Sequence, residues 1–347
     1  MVAKITLVFV DGRVVSSDTS SWEFIDSGGE ADIYELKIGN QRYIAKVFTE
    51  KQTQLAKPIE RIAEILRRLV RLRRRCGPAL PRSLVSRGLP LAVGALGEQA
   101  VLVFRSVEGF TTIADIVNDE EKLHDYLLMI NDGERAAMAL DVLKALACLE
   151  AADIVHVDVT TSNAALGIVD GRRWVYLFDI EAAAVMSEPD YPLIVIPARD
   201  AHYMPVDLLA DLGIELRSPD PGELPIPLLP SKLPHNILSW VAWTPTWYGL
   251  QLVAHVYAGL SPFQGLPAVS ASYWRDVVEI EREKGYPGGW PPQAMVDLGF
   301  LDNGEFRELR QLWGRLGDEV VAAFYHVFVV DVAEKRNMPS YTLSAIV

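Results

Sequence analysis

The chain has 347 residues, half of them hydrophobic, and a formal net charge of −13. That length allows two lobes and a sizeable core, and that composition excludes a disordered chain. The acidic balance argues against non-specific nucleic-acid binding, and no apolar run reaches membrane-spanning length. Cys76 and Cys148 are the only cysteines, too few for a disulfide scaffold or a thiolate metal site. The expected compartment is the cytoplasm, with no nucleic-acid or membrane partner.

Lys4–Val10 and Gly12–Val15 read as a leading hairpin with Asp11-Gly12 near its turn, and this start is a strand rather than a signal peptide. Trp22–Ile25, Asp32–Lys37 and Arg42–Phe48 are three further strand-like runs. The first two are joined by Asp26, Ser27, Gly28, Gly29, Glu30 and Ala31, where adjacent glycines let backbone amides approach a phosphate. Lys46 lies inside the third run, on the same face as Ile44 and Phe48 by strand alternation. A lysine there is costly unless its ammonium meets an anion.

A helix is predicted over Pro58–Arg75, with Ile59, Ile62, Leu66 and Leu69 as its apolar face. Arg67, Arg68, Arg71, Arg73, Arg74 and Arg75 on it read as a solvated face, with phosphate or acidic-partner binding as the alternative. Pro78–Pro90 is a turn-rich connector, and Ala100–Phe104 is a strand. Glu134–Ala151 is a long helix with Met138, Val142, Leu146 and Leu149 on one face.

That helix delivers the chain to Asp153–Ala184, the most informative stretch. The apolar runs Ala164–Val169 and Trp174–Phe178 flank Asp170-Gly171, a strong two-residue hairpin signal. With pairing centred near residue 171, Asn163 starts one strand and Asp179 ends its partner, directly opposite. Asp158 lies five residues before Asn163, in a polar loop. Three oxygen-bearing side chains would then converge at one open end, which suits a hard cation such as magnesium with room for substrate phosphates.

His156-Val157-Asp158 with Asn163, followed by Asp179, resembles the catalytic loop and metal-binding segment of protein kinases. Lys46, in Tyr43-Ile44-Ala45-Lys46, resembles the lysine that holds the nucleotide phosphates in that superfamily. The loop Ser27–Tyr34 lacks G-x-G-x-x-G spacing and looks more like the G-x-E-A-x-x-Y loop of RIO-type atypical kinases. Arg105–Gly109 resembles the hinge between lobes, His202–Asp207 the end of an activation segment, and Asp331–Arg336 a D-P-x-x-R motif whose Arg336 would pair with Asp207. Trp247–Tyr257 resembles the buried helix of the large lobe, with Thr244 or Thr246 in place of the usual aspartate.

The likeness spans about residues 22 to 340 and implies an α+β, two-lobed kinase-like fold. An antiparallel sheet plus one helix would occupy residues 1–105, a hinge 106–110, and a mainly helical lobe 111–347 with a proline-rich insertion at 217–234. It implies ATP and magnesium as cofactors, Asp158 as the base, and Asn163 and Asp179 as metal ligands. Nucleotide contacts would come from Ser27, Gly28, Gly29, Glu30, Ala31 and Lys46, from Phe104 behind the adenine, and from Arg105 and Val107 at its edge. Glu64, or else Glu60, would pair with Lys46. The implied activity is a serine/threonine-type protein kinase acting on a hydroxyl acceptor.

Three departures qualify the acceptor and the activity. Val157 replaces the arginine of H-R-D, Thr160 stands where a lysine is usual, and Asp179-Ile180-Glu181 replaces D-F-G. The D-x-E spacing is common in small-molecule phosphotransferases of the aminoglycoside and choline kinase kind, and a pseudokinase acting as a nucleotide-binding scaffold is the other alternative.

Overall fold

The computed structural model describes residues 4–76, 80–85, 88–185, 187, 193–194, 227–228, 235–263 and 271–330. The segment His202–Asp207, the stretch Asp331–Arg336 and the proline-rich 217–234, apart from the short strand Pro227–Leu228, lie outside them.

The N-terminal part is a seven-stranded antiparallel sheet. Its strands are β1 (Lys4–Phe9), β2 (Val14–Asp18), β3 (Glu23–Ser27), β4 (Ala31–Ile38), β5 (Gln41–Phe48), β6 (Ala92–Leu96) and β7 (Gln99–Arg105), in the order β2-β1-β6-β7-β5-β4-β3. Alternation gives the sheet two different faces. Tyr43, Ala45 and Val47 of β5 join Ile5, Leu7 and Phe9 of β1 and Val101 and Val103 of β7 in one small core. On the other face Phe48, Ala100, Leu102 and Phe104 belong to the main core with Ile62, Ile65 and Leu69. These three come from helix α2 (Pro58–Cys76), which follows the short helix α1 (Glu50–Ala56). Thr49 caps α1, accepting from the Gln52 amide. Lys57 between the two helices is left-handed, at φ 45°.

The buried stripe of α2 is wider than the expected apolar face, all of which packs on the main core. Arg61, Ile62, Glu64, Ile65 and Leu69 are buried, whereas Ile59 and Leu66 are half-buried. The helix is turned so that two charged residues face inward, each with protein partners.

After a short helix α3 (Arg82–Val85) and strands β6 and β7, β8 (Glu108–Thr112) leaves the large sheet and pairs with a second one. That three-stranded sheet runs β11-β10-β8, with β10 Ala164–Val169 and β11 Arg172–Leu177. Helices α4 (Ile113–Val117), α5 (Glu120–Met129) and α6 (Asp132–Ala151) intervene in sequence. Asn131 and Glu134 form a capping box at the start of α6. This helix packs along α7 (His235–Ala258), which contains Pro245. Arg135 of α6 is buried because its guanidinium satisfies the carbonyls of Tyr257 at 2.8 Å and Leu127 at 2.9 Å, tying α5, α6 and α7 together. Trp247, Phe263, Trp274, Trp290, Phe324 and Phe328 form the aromatic centre of this helical part. Among the described residues no helix is long and apolar enough to cross a membrane.

Candidate active site

The site forms where the helical part meets the open end of the β10/β11 hairpin. Asp170 and Gly171 both have positive φ, 52° and 74°, the geometry of a tight two-residue hairpin turn whose twist matches the strands. Val169 pairs with Arg172, and Ala164 with Leu177. The pairing is therefore centred between residues 170 and 171, half a residue earlier than the turn signal suggested. Asn163 consequently lies opposite Phe178, not Asp179, and its carbonyl accepts from the Phe178 amide at 3.1 Å. Asp179 sits one residue beyond.

Asp179 adopts φ 57° and ψ 29°, a left-handed conformation that aspartate tolerates better than most residues but that is still uncommon. It opens a 3-10 turn, Ile180–Ala182, and the chain then enters strand β12 (Ala184–Val185), paired with β9 (Ile154–Val155) just before the polar loop. Ile180 is fully buried and anchors the turn. The reversal at Asp179 brings both Asp179 and Glu181 to the ammonium of Lys46. Lys46 Nζ is 2.8 Å from Asp179 Oδ1 and 2.8 Å from Glu181 Oε1.

Burial opposes the charge on Lys46, but the Asp179 and Glu181 carboxylates outweigh it and hold the ammonium well above the ordinary lysine range. Glu181 is itself pushed up by burial and by Asp179, with Lys46 opposing. Glu30, in the loop between β3 and β4, is raised by burial and by crowding from Asp179 and Glu181, against Lys46 and Arg61. Three carboxylates and two cations thus share one cleft.

Asp158 and Asn163 meet a few residues away in the loop. Asn163, buried, donates through Nδ2 to Asp158 Oδ2 at 2.5 Å and to the Asp158 carbonyl at 3.1 Å. His156, also buried, donates through Nε2 to the Phe178 carbonyl at 3.1 Å, fastening the loop to the end of β11. Burial lowers its pKa to about 4, so it is neutral at physiological pH.

The remaining expected nucleotide contacts fall as follows. In the glycine loop, the Gly28 amide is occupied by the Ala31 carbonyl at 2.9 Å, and Ser27 Oγ donates to Asp32 Oδ1 at 2.6 Å. A Cβ at Gly28 would meet nothing closer than 3.7 Å, so space does not demand glycine there. Gly29 lies between this amide and Glu30, whose carbonyl accepts from the Thr49 amide. Phe104 and Val107 are both buried. The Arg105 side chain turns outward to Asp170 at the hairpin tip, at 2.9 Å.

The expected pairing of Lys46 with a glutamate of α2 is not present. Glu64 instead bonds Arg68 at 2.8 Å and pairs with Arg67, while Glu60 is exposed. Arg68 extends the network to Asp153 at 2.9 Å and to the Ser187 hydroxyl at 3.0 Å. Two arginines of the expected solvated face therefore have carboxylate partners, and these draw Glu64 away from the sheet. In place of a glutamate, α2 brings Arg61, which donates to the Ala183 carbonyl at 3.3 Å. Sequence reasoning gave neither Arg61 nor Glu181 a part in this cleft. The D-x-E spacing was the available signal for Glu181.

A seven-stranded antiparallel sheet with α2 packed on one face, and a three-stranded sheet set among the helices that follow, define the architecture. The fold is α+β, an antiparallel sheet followed by a mainly helical part. No protein-family model matches the chain, and no curated protein matches it. Among solved structures, it is similar to the kinase domain of a Toxoplasma gondii rhoptry antigen, at 15% identity and TM-score 0.44, over 90% of this chain and 87% of that one. It is similar to the Mycobacterium tuberculosis PknI kinase domain at 14% identity and TM-score 0.39, over 92% and 96%. It is similar to the ROP18 kinase domain in complex with AMP-PNP and sucrose at 17% identity and TM-score 0.40, over 91% and 85%. Likeness this distant carries no weight on activity or ligand.

Proposed function

We propose that this chain is an ATP- and magnesium-dependent phosphotransferase of the serine/threonine protein kinase type, with Asp158 as the base. The observation that carries the reading is the meeting of Lys46 and Asp179 at 2.8 Å, with Asp158 and Asn163 locked together at the head of the adjoining strand. Phosphoryl transfer needs positioning and charge neutralisation more than covalent chemistry, and these residues supply both.

Among the described residues no group of three or more His, Cys, Asp or Glu is placed to hold a metal ion, so the proposed cation rests on Asn163 and Asp179 with the excess of carboxylates beside them. Glu30, Asp179 and Glu181 outnumber Lys46 and Arg61, and Glu30 and Glu181 are raised first by burial and then by this crowding of carboxylates. Asn163 and Asp179 would hold magnesium, which when bound supplies positive charge against the phosphates. Lys46 binds phosphate oxygens from the sheet side. Asp158 orients the acceptor hydroxyl and accepts its proton, while Asn163 fixes the carboxylate through the Oδ2 contact. Ser27–Ala31 would cover the phosphates, and Phe104, Arg105 and Val107 would border the adenine. The division into residues 1–105, a hinge at 106–110, and 111–347 belongs to the same proposal.

A second reading, a small-alcohol acceptor, draws support from Glu181 of the D-x-E spacing lying in the cleft rather than outside it. One experiment separates the readings. The pure protein is incubated with magnesium and radiolabelled ATP, with and without Asp158→Ala, and label is followed on protein, on small alcohols and as free phosphate. Label on protein, falling about 10²–10⁴-fold in Asp158→Ala with nucleotide binding retained, is the expected result. Label on small alcohols alone would transfer the assignment to the second reading. No transfer at all, with nucleotide-induced thermal stabilisation, would make the chain a nucleotide-binding scaffold.

A further inference from the structure

Helix α2 offers the cleft no carboxylate. Glu64 is engaged by Arg68 and Arg67, and Glu60 faces outward. The glutamate that does reach Lys46 comes from the turn after β11. Glu181 has 3% of its side chain exposed and forms an ion pair 2.8 Å from Nζ, while neither of its carboxylate oxygens has an aligned hydrogen-bond partner among the described residues. A carboxylate this buried is costly unless paired, and Lys46 is the paired cation. Two residues on, the Ala183 carbonyl accepts from Arg61, which is fully buried. The helix therefore grips the backbone of the same turn that grips the lysine.

We infer that Glu181 is the positioning residue that fixes Lys46 for a nucleotide, and that α2 bears on this turn through Arg61 and the Ala183 backbone and not through a glutamate of its own. The nucleotide part rests on the phosphotransferase reading, whereas the pairing does not. One turn, Asp179–Ala183, then sets both the lysine and the carboxylate expected to face the metal. Their spacing is fixed by a short piece of backbone instead of by the docking of a separate helix.

Two measurements on the full chain test this. The first needs no nucleotide. Lys46→Met leaves the Asp179 and Glu181 carboxylates facing each other without their shared cation, so its urea midpoint should fall. Adding Glu181→Gln should recover at least about half of that loss, because paired residues are not additive. Adding Glu64→Gln should recover none. Additive losses for Lys46→Met with Glu181→Gln, or recovery by Glu64→Gln, would overturn the inference.

The second measurement is magnesium-ADP affinity by titration calorimetry. Glu181→Gln should weaken binding about ten-fold, Glu181→Asp should restore most of it, and Glu64→Gln should change it less than about two-fold. Equal weakening by Glu64→Gln, or none by Glu181→Gln, would also overturn it. If Glu181→Gln does not fold, the Glu181→Asp and Glu64→Gln arms still decide the matter. A wild type that shows the midpoint coupling but binds no nucleotide would remove the phosphotransferase reading and leave the pairing standing.

Discussion

His156 and His255 are two histidines whose environment sets their protonation. Burial lowers each to about 4, and neither Nδ1 has a hydrogen-bond partner among the described residues. Both are neutral when folded and regain an ordinary affinity for protons, near 6.5, when unfolded. Between those values the unfolded state binds more protons, so stability rises with pH. Their contribution is complete above about 6.5 and is lost as pH falls toward about 4. His255 lies in α7, away from the cleft, and isolates the effect. From pH 7 to pH 5 the wild type should lose roughly 2 kcal/mol more than His255→Gln, read from urea midpoints at the two pH values. Equal losses would show that His255 titrates normally in the folded chain. The same scale explains why part of the cleft could not be read from sequence. Arg61 counts as a solvent residue in any helical wheel, and its burial depends on distant partners such as the Ala183 carbonyl and the charge of Glu30. Glu181 reaches Lys46 because Asp179 is left-handed, which no spacing rule announces.

Between elements, one of the two closest fits is at Gly167 of β10. A Cβ there would overlap the Val107 side chain, which is buried in the link between β7 and β8. The strand can back against that link only because it lacks a side chain at this point. Gly167→Ala should therefore cost about 1–3 kcal/mol of stability through overpacking. It should also displace Val107, and so weaken nucleotide binding in calorimetry more than it slows transfer at saturating nucleotide. A change in stability with unaltered affinity would separate Val107 from the adenine edge. The hairpin holding Gly167 was legible because Asp-Gly is a specific turn, and only its register was misjudged by half a residue. The strands β3, β4, β5 and β7 were legible from alternation with bounds shifted by one or two residues. Helix α1 was missed although Thr49 is a good cap, because its seven residues carry too little apolar pattern to be seen.

Over the whole molecule, the β1/β2 hairpin closes the small core on the far side of the sheet. Ile5, Leu7 and Phe9 are buried there against Leu36, Tyr43, Val101 and Val103. Burying three such side chains stabilises by about 5–9 kcal/mol, a large share of the whole for a typical domain. A chain lacking residues 1–18 should then be recovered aggregated or bind a hydrophobic dye strongly, whereas the intact chain does neither. A truncated chain with an unchanged unfolding temperature would show that this hairpin is an accessory. The leading hairpin itself was plain in the sequence, but its pairing with β6 was not, since that contact joins residues more than eighty positions apart.

Arg105 and Asp170 meet at 2.9 Å across the gap between the two sheets, and both side chains stand in water, 46% and 75% exposed. Such a contact is worth little, on the order of 0.2–1 kcal/mol, and salt screens it. It works as a loose clasp rather than a lock. Ordinary changes in ionic strength weaken an exposed pair of this kind well before the buried pairing of Lys46 with Glu181.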